Sequence, residues 1–149
     1  MIKNRLGYRN YTPVKEFTAG IALTGPEVKS VREGRLQLEK SFVRFIQGEL
    51  YLVGAVIHPY KYADSNEFDP ERSRKLLLTK KEIIYLKSAL EKNRSLTIIP
   101  LICYNKSKYI KLKIALARGK RKFDIKSVEK QKQIKHDQEK EIKEVFKRG

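Results

Sequence analysis

Tyr109-Ile110-Lys111-Leu112-Lys113-Ile114-Ala115-Leu116-Ala117 is the stretch on which the fold turns. Ile110, Leu112, Ile114 and Leu116 fall on one parity and Tyr109, Lys111 and Lys113 on the other. That alternation predicts a strand with one face in a core and one face aromatic and basic. Ser95 to Tyr104 before it is also β-rich, and Asn105-Lys106-Ser107 between the two marks a hairpin.

Working outward, Val14 to Thr24 sets Phe17, Ala19, Ile21 and Leu23 on one parity, with Gly20 signalling a bulge or a close backbone approach. Ser41 to Ile46 and Glu49 to Val53 flank Gln47-Gly48, a spacing that predicts a second hairpin. Lys75 to Leu78 is a brief apolar strand. Two helices are expected. One starts at Thr24-Gly25-Pro26-Glu27, where Thr24 and Glu27 can form a capping box, and stops near Glu33 at Gly34. The other starts at Thr79 with Glu82 and carries Ile83, Leu86 and Leu90 at helical spacing up to Asn93. About six antiparallel strands and two helices in ~115 residues predict a mainly β fold, an OB-like closed or partly closed antiparallel barrel, which removes exposed sheet edges. His58 to Pro70, with two prolines, is a long loop.

The chain of 149 residues carries 34 Lys plus Arg against 17 Asp plus Glu, a net charge of +17. Solubility needs only about 2–8 charges, so a polyanionic partner is expected, with nucleic acid ahead of an anionic membrane. The charge is distributed: residues 1–117 hold 22 basic and 11 acidic residues, net +11, and residues 118–149 hold 12 and 6, net +6. No apolar run is long enough to span a membrane, and Met1-Ile2-Lys3-Asn4-Arg5 lacks a secretory signal, so a cytoplasmic location is expected. One cysteine and two histidines assemble no common zinc site and no intramolecular disulfide. No cofactor is expected.

Two domains of behaviour are expected: a body over residues 1–118, with an N-terminal arm, and a basic tail over 119–149. From Lys126 onward the apolar residues are only Val128, Ile134, Ile142, Val145 and Phe146, too few for a core. Helix propensity is good there, so a tail disordered alone and helical on binding is expected.

Three motifs are more specific than composition. Gly25-Pro26-Glu27-Val28-Lys29-Ser30-Val31-Arg32-Glu33-Gly34 resembles the G-x-E-V-K-S-x-R-x-G signature of the SsrA-binding protein (small protein B, SmpB) family, partners of transfer-messenger RNA. Asp69-Pro70-Glu71-Arg72-Ser73-Arg74-Lys75-Leu76-Leu77-Leu78 is similar to its D-P-x-R-x-R-K-L-L-L segment. Leu116-Ala117-Arg118-Gly119-Lys120-Arg121-Lys122-Phe123-Asp124 is similar to its A-[RK]-G-K-K-x-[aromatic or His]-D junction. The resemblance extends from Asn4 to about Lys126. It implies a bacterial, non-enzymatic protein with an OB-like barrel that binds the tRNA-like domain of transfer-messenger RNA and brings it to stalled ribosomes. It also implies that the tail, with Arg118, Lys120, Arg121, Lys122, Phe123, Asp124 and Lys126, enters the vacant small-subunit decoding centre and mRNA channel.

The residues point the same way. Looped RNA is held by Lys and Arg on phosphates and by aromatic rings under bases. Asn4, Arg5, Tyr8, Arg9 and Tyr11 form a polar-aromatic arm, though a frayed terminus would look the same; the family arm usually has alanine where Gly7 stands. Lys29 and Arg32 make one basic helix face suited to phosphate, or else are the solvated charges of an ordinary capped helix, while Glu27 reads as a cap. Arg72 and Arg74 alternate onto one side of an extended chain as expected phosphate contacts, with Lys75 beside them. Leu77 is either core or, by the resemblance, an RNA contact. Tyr109, Lys111 and Lys113 make a stacking and phosphate-binding face, or else a solvated strand surface. Thr18 stands where the family has glutamate, and Ile125 where it has lysine.

Two rival classes remain on sequence alone, a metal-dependent nuclease and an integral ribosomal or architectural RNA-binding protein. Against the first, the sequence contains no catalytic triad order, phosphate loop or metal-spaced carboxylates. A monomer is expected.

Overall fold

The structure is a computed structural model that describes residues 1–59 and 69–120. The elements are β1 (Ile2–Lys3), α1 (Arg5–Asn10), β2 (Tyr11–Ile21), α2 (Gly25–Arg32), β3 (Leu36–Gln37), β4 (Phe42–Ile46), β5 (Glu49–Val53), β6 (Val56–Ile57), β7 (Arg74–Leu77), α3 (Lys80–Lys92), β8 (Leu96–Lys106) and β9 (Tyr109–Gly119). Six of the strands form a ring in the order β8-β4-β5-β7-β2-β9, closed by the β8–β9 pairing, and every pairing is antiparallel. This ring agrees with the expected mainly β fold, a closed or partly closed antiparallel barrel. β1 adds to β8, and β3 with β6 forms a separate two-stranded sheet.

Both expected hairpins are present. In the first, Gln47 and Gly48 both have positive φ, 50° and 81°, the geometry that matches a two-residue turn to the twist of its strands. In the second, Lys106 pairs with Tyr109, so the turn is Ser107-Lys108, which overlaps the polar cluster at Ser107 and ends one residue beyond it. β2 starts three residues before Val14, and its irregularity falls at Val14, between Pro13 and Lys15, not at Gly20. Gly20 instead marks a close approach: a Cβ there would meet the Leu77 Cβ at 3.4 Å.

The core comprises Phe17, Ala19, Val43, Leu50, Leu52, Leu76, Ile98, Leu112, Ile114 and Leu116 from inward strand positions, with Leu86 of α3 inserted among them. At about 25 cal/mol per Å² of apolar surface removed from water, this burial is the main favourable term for the barrel. α2 and α3 begin with complete capping boxes, Thr24–Glu27 and Thr79–Glu82, as their sequences predict. A second small cluster, Ile99, Leu101, Ala115 and Ala117, lies outside the ring and is covered by Tyr8, Tyr11 and Ile102. That cluster explains why β9 is buried on both faces from Ile114 to Ala117, where a polar outer face would otherwise be expected.

The N-terminal arm is therefore ordered. Asn4 caps α1: its Oδ1 accepts from the Gly7 N–H at 2.9 Å, and its Nδ2 donates to the Pro100 carbonyl at 2.8 Å. β9 runs to Gly119, and the Lys120 N–H donates to the Asn10 carbonyl. The tail residues from 121 on, including Arg121, Lys122, Phe123, Asp124 and Lys126, and most of the loop between His58 and Pro70 lie outside the described residues. Among the described residues, no helix is long and apolar enough to cross a membrane.

Candidate nucleic-acid interface

β2 and β7 run antiparallel with Gly20 opposite Leu77, and β2 and β9 with Gly20 opposite Lys111. Because Leu76 and Leu112 point inward, Leu77 and Lys111 point out, and the absent side chain at Gly20 leaves a depression between them. Leu77 is 53% exposed and Tyr109 62% exposed. The choice left open for Leu77 by its sequence thus resolves to the surface. These residues, with Ile21, Val28 and Lys108, line an open groove of about 360 Å³. The Lys111 Nζ sits 5.9 Å from the centre of the Tyr109 ring, so a cation and an aromatic plane occupy one lip.

The C-terminal end of α2 is tied to the same lip. Arg32 Nη2 donates to the Lys108 carbonyl at 2.9 Å, fixing the β8–β9 turn against α2. Lys29 and Arg32 are both exposed there, as the basic helix face required. Lys113, two residues along from Lys111, lies opposite Thr18 and pairs with Glu16 at 3.6 Å. Glu16 lies two positions before Thr18 on the same parity of β2, so it supplies a carboxylate near the position where the family glutamate is missing. The sequence reading overlooked Glu16, although its parity with Thr18 was visible.

Two expected contacts, Arg74 and Asn4, are not on the surface. Arg72 and Arg74 both reach Glu27, but Arg74 sits at an inward position of β7, on the parity of Leu76, and is fully buried. Its Nε and Nη2 donate to Glu27 Oε2 at 3.0 and 2.9 Å, and further bonds go to the carbonyls of Ala55, Asp69 and Pro70. Arg72, partly exposed, donates to both Glu27 oxygens. A phosphate clamp built from Arg72 and Arg74 is therefore replaced by an internal Arg–Glu–Arg cluster. Arg72 precedes β7, so strand alternation does not reach it; the two arginines meet through Glu27, and the position of β7 decides that Arg74 faces the core. Asn4 is likewise 2% exposed and occupied with its cap, so it shapes the arm from within.

Burial pushes the Glu27 carboxyl upward, but hydrogen bonds from Arg72, the Thr24 N–H and Arg74 outweigh it and hold it below the ordinary carboxylate value. For Arg74, burial dominates and lowers the guanidinium below its usual value despite Glu27. Lys75 is bonded to Glu49, which raises its ammonium.

The remaining expected residues are spread around the barrel. Arg5 is exposed on α1, while Tyr8 and Tyr11 are half-buried over the outer cluster, with the Lys3 Nζ 5.1 Å from the centre of the Tyr8 ring. Arg118 is exposed near the end of β9, opposite Thr12 and Leu96, and Lys120 follows it. Among the described residues, no group of three or more His, Cys, Asp or Glu side chains could hold a metal ion.

The arrangement sets cations around an apolar and aromatic groove on a closed barrel. The family model "SmpB protein" matches residues 1–144. The SsrA-binding protein of Rubrobacter xylanophilus is 45% identical over 146 residues, covering 98% of this chain and 97% of the relative. That of Persephonella marina is 42% identical over 140 residues, covering 94% and 91%. A solved chain described as "tmRNA-SmpB: a journey to the center of the bacterial ribosome" superposes with a TM-score of 0.66 at 43% identity, over 81% of this chain and 85% of the other. With the family model matched over residues 1–144 and relatives 42% and 45% identical over 94% and 98% of its length, this chain belongs to the SmpB, or SsrA-binding protein, family.

Proposed function

We propose that this protein binds transfer-messenger RNA and delivers it to stalled ribosomes for trans-translation, acting as a non-enzymatic, cytoplasmic RNA-binding protein. The barrel holds the tRNA-like domain, and the basic tail enters the vacant decoding centre and mRNA channel of the small subunit. The observation that carries this reading is the convergence of Leu77, Tyr109 and Lys111 on one groove at Gly20, in a chain of net charge +17. Leu77 and the Tyr109 ring cover an unstacked or exposed base plane, while Lys111, Lys29 and Lys113 neutralise nearby phosphates. Arg72 and Arg74 contribute indirectly: they hold Glu27, and with it the start of α2, in place.

The test is a binding titration with transfer-messenger RNA over a range of salt, beside a reconstituted assay of peptide tagging on stalled ribosomes. Affinity should fall steeply with salt because each neutralised phosphate releases counterions. A flat salt response, or tagging that proceeds without the protein, overturns the reading. Stoichiometric co-purification with every ribosome would instead mark an integral ribosomal protein.

A further inference from the structure

The outer face of β4, β5 and β7 carries a row of side chains that the groove does not use. Register sets Arg44 opposite Tyr51 and Tyr51 opposite Lys75, so the three lie side by side across three strands. Direct cross-strand neighbours sit only ~4.5–5.5 Å apart at Cβ. Their alternates Val43, Leu50, Leu52, Arg74 and Leu76 are all buried, which fixes the row as outward. At its far end the Arg44 guanidinium lies over the Phe42 ring, 4.7 Å from the centroid.

Arg44 is exposed, and no carboxylate among the described residues pairs with it. A guanidinium laid on a ring is a flat, weakly hydrated plane on which a base can stack. The Tyr51 ring beside it is half-buried, and its packing against strand neighbours limits the freedom lost when it receives a ligand. Lys75 adds a cation, held in the row by Glu49. On β7, Lys75 and Leu77 share the outward parity, so the row runs without a break into the groove at Gly20.

We propose that Phe42, Arg44, Tyr51 and Lys75 form a stacking strip for unpaired RNA nucleotides, extending the footprint of the RNA held at the Leu77–Lys111 groove. The inference rests on that groove being an RNA site. Unpaired RNA fits better than duplex because planar groups in a row receive splayed bases, whereas a duplex presents mainly its backbone. Glu49 is the one opposing charge in the row, and it limits affinity by repelling phosphate.

The experiment uses the full chain and two probes, a single-stranded oligoadenylate of about ten nucleotides and a blunt RNA duplex of the same length. Arg44→Lys with Tyr51→Thr keeps the charge and the strand propensity but removes both planes. It should weaken the single strand about tenfold and leave the duplex within about twofold, since the counterion-release term is unchanged. Glu49→Gln should tighten the single strand. Equal loss on both probes, or no loss on the single strand, overturns the strip. Lys111→Ala, measured alongside on transfer-messenger RNA, keeps the two readings apart. Loss there with an inert strip variant overturns the strip alone, and loss in the strip variant with an inert Lys111→Ala overturns the groove. If the double variant fails to fold, Arg44→Lys alone, at an exposed position, should cost about threefold, and wild-type affinity in it overturns the proposal.

Discussion

Glu27 Oε2 accepts from both Nε and Nη2 of Arg74, at 3.0 and 2.9 Å, joining the first turn of α2 to the first residue of β7 across 47 positions of sequence. Both side chains are buried, and Glu27 also closes the capping box with Thr24. One carboxylate therefore caps a helix, neutralises an interior guanidinium and holds Arg72. Glu27→Ala should destabilise the barrel by about 3–5 kcal/mol, the typical cost of stranding a buried charge, with Arg74→Ala in the same range. Arg72→Ala should cost much less, since solvent reaches its guanidinium. Urea unfolding of the three variants measures the order, and equal losses at Arg72 and Arg74 would contradict it.

The same cluster sets an acid limit. Glu27 has a folded-state pKa below its unfolded value, so its contribution to stability is complete above about pH 4.5 and is lost as pH falls through the depressed folded value. Melting temperature should drop steeply on acidification below about pH 4.5. Glu27→Gln should flatten that dependence relative to the unmodified protein, and a parallel acid profile in both would assign the limit to other carboxylates.

Cys103 is 2% exposed within β8, and burial pushes its thiol up to about 12. A thiol that is neither exposed nor ionised is a poor nucleophile. Alkylation of the native protein at pH 8 should be slower than that of the urea-unfolded chain by at least about a hundredfold. Comparable rates would show that the β1–β8–β9 edge opens readily.

Alternation made much of this legible. The parities of Ile110 to Leu116 and of Phe17 to Leu23 identify core and surface because a half-buried strand has period two, and the capping boxes locate α2 and α3 because their chemistry is local. What escaped was set by tertiary partners. β1, α1, β3 and β6 are too short to leave a period, and α1 exists because Asn4 reaches Pro100, 96 residues away. Arg74 reads as a surface cation in any local window, and it is Glu27, 47 positions away, together with the carbonyls of Ala55, Asp69 and Pro70, that makes its burial tolerable.

Lys111→Ala should leave the fold intact, since the side chain lies outside the core, and should weaken transfer-messenger RNA binding by about 1.5–3 kcal/mol, the worth of one charge-assisted contact. The slope of log affinity against log salt should decrease by about 1, because one fewer phosphate is neutralised. Leu77→Ala should weaken binding without altering that slope, because it removes apolar contact and no charge. A change of slope in Leu77→Ala would mean that the groove is rearranged in that variant.

Truncation after Lys120 separates binding from delivery. The barrel is complete at that point: β9 ends at Gly119, and the Lys120 N–H closes on the Asn10 carbonyl. The residues removed hold few apolar side chains, so folding should be unaffected and RNA affinity should fall by no more than about threefold, from lost long-range charge. Peptide tagging should be abolished, because the groove alone cannot fill a decoding centre. Within the tail, Phe123 follows Lys120, Arg121 and Lys122, one ring beside three cations, the combination that stacks on a base while neighbouring charges hold its phosphates. Phe123→Ala should therefore spare RNA affinity and reduce tagging, whereas Phe123→Tyr and Phe123→His, which keep a planar ring, should retain it. The paired measurement is a binding titration beside the tagging assay: truncation that destroys RNA binding, or that leaves tagging intact, breaks the division of labour between barrel and tail.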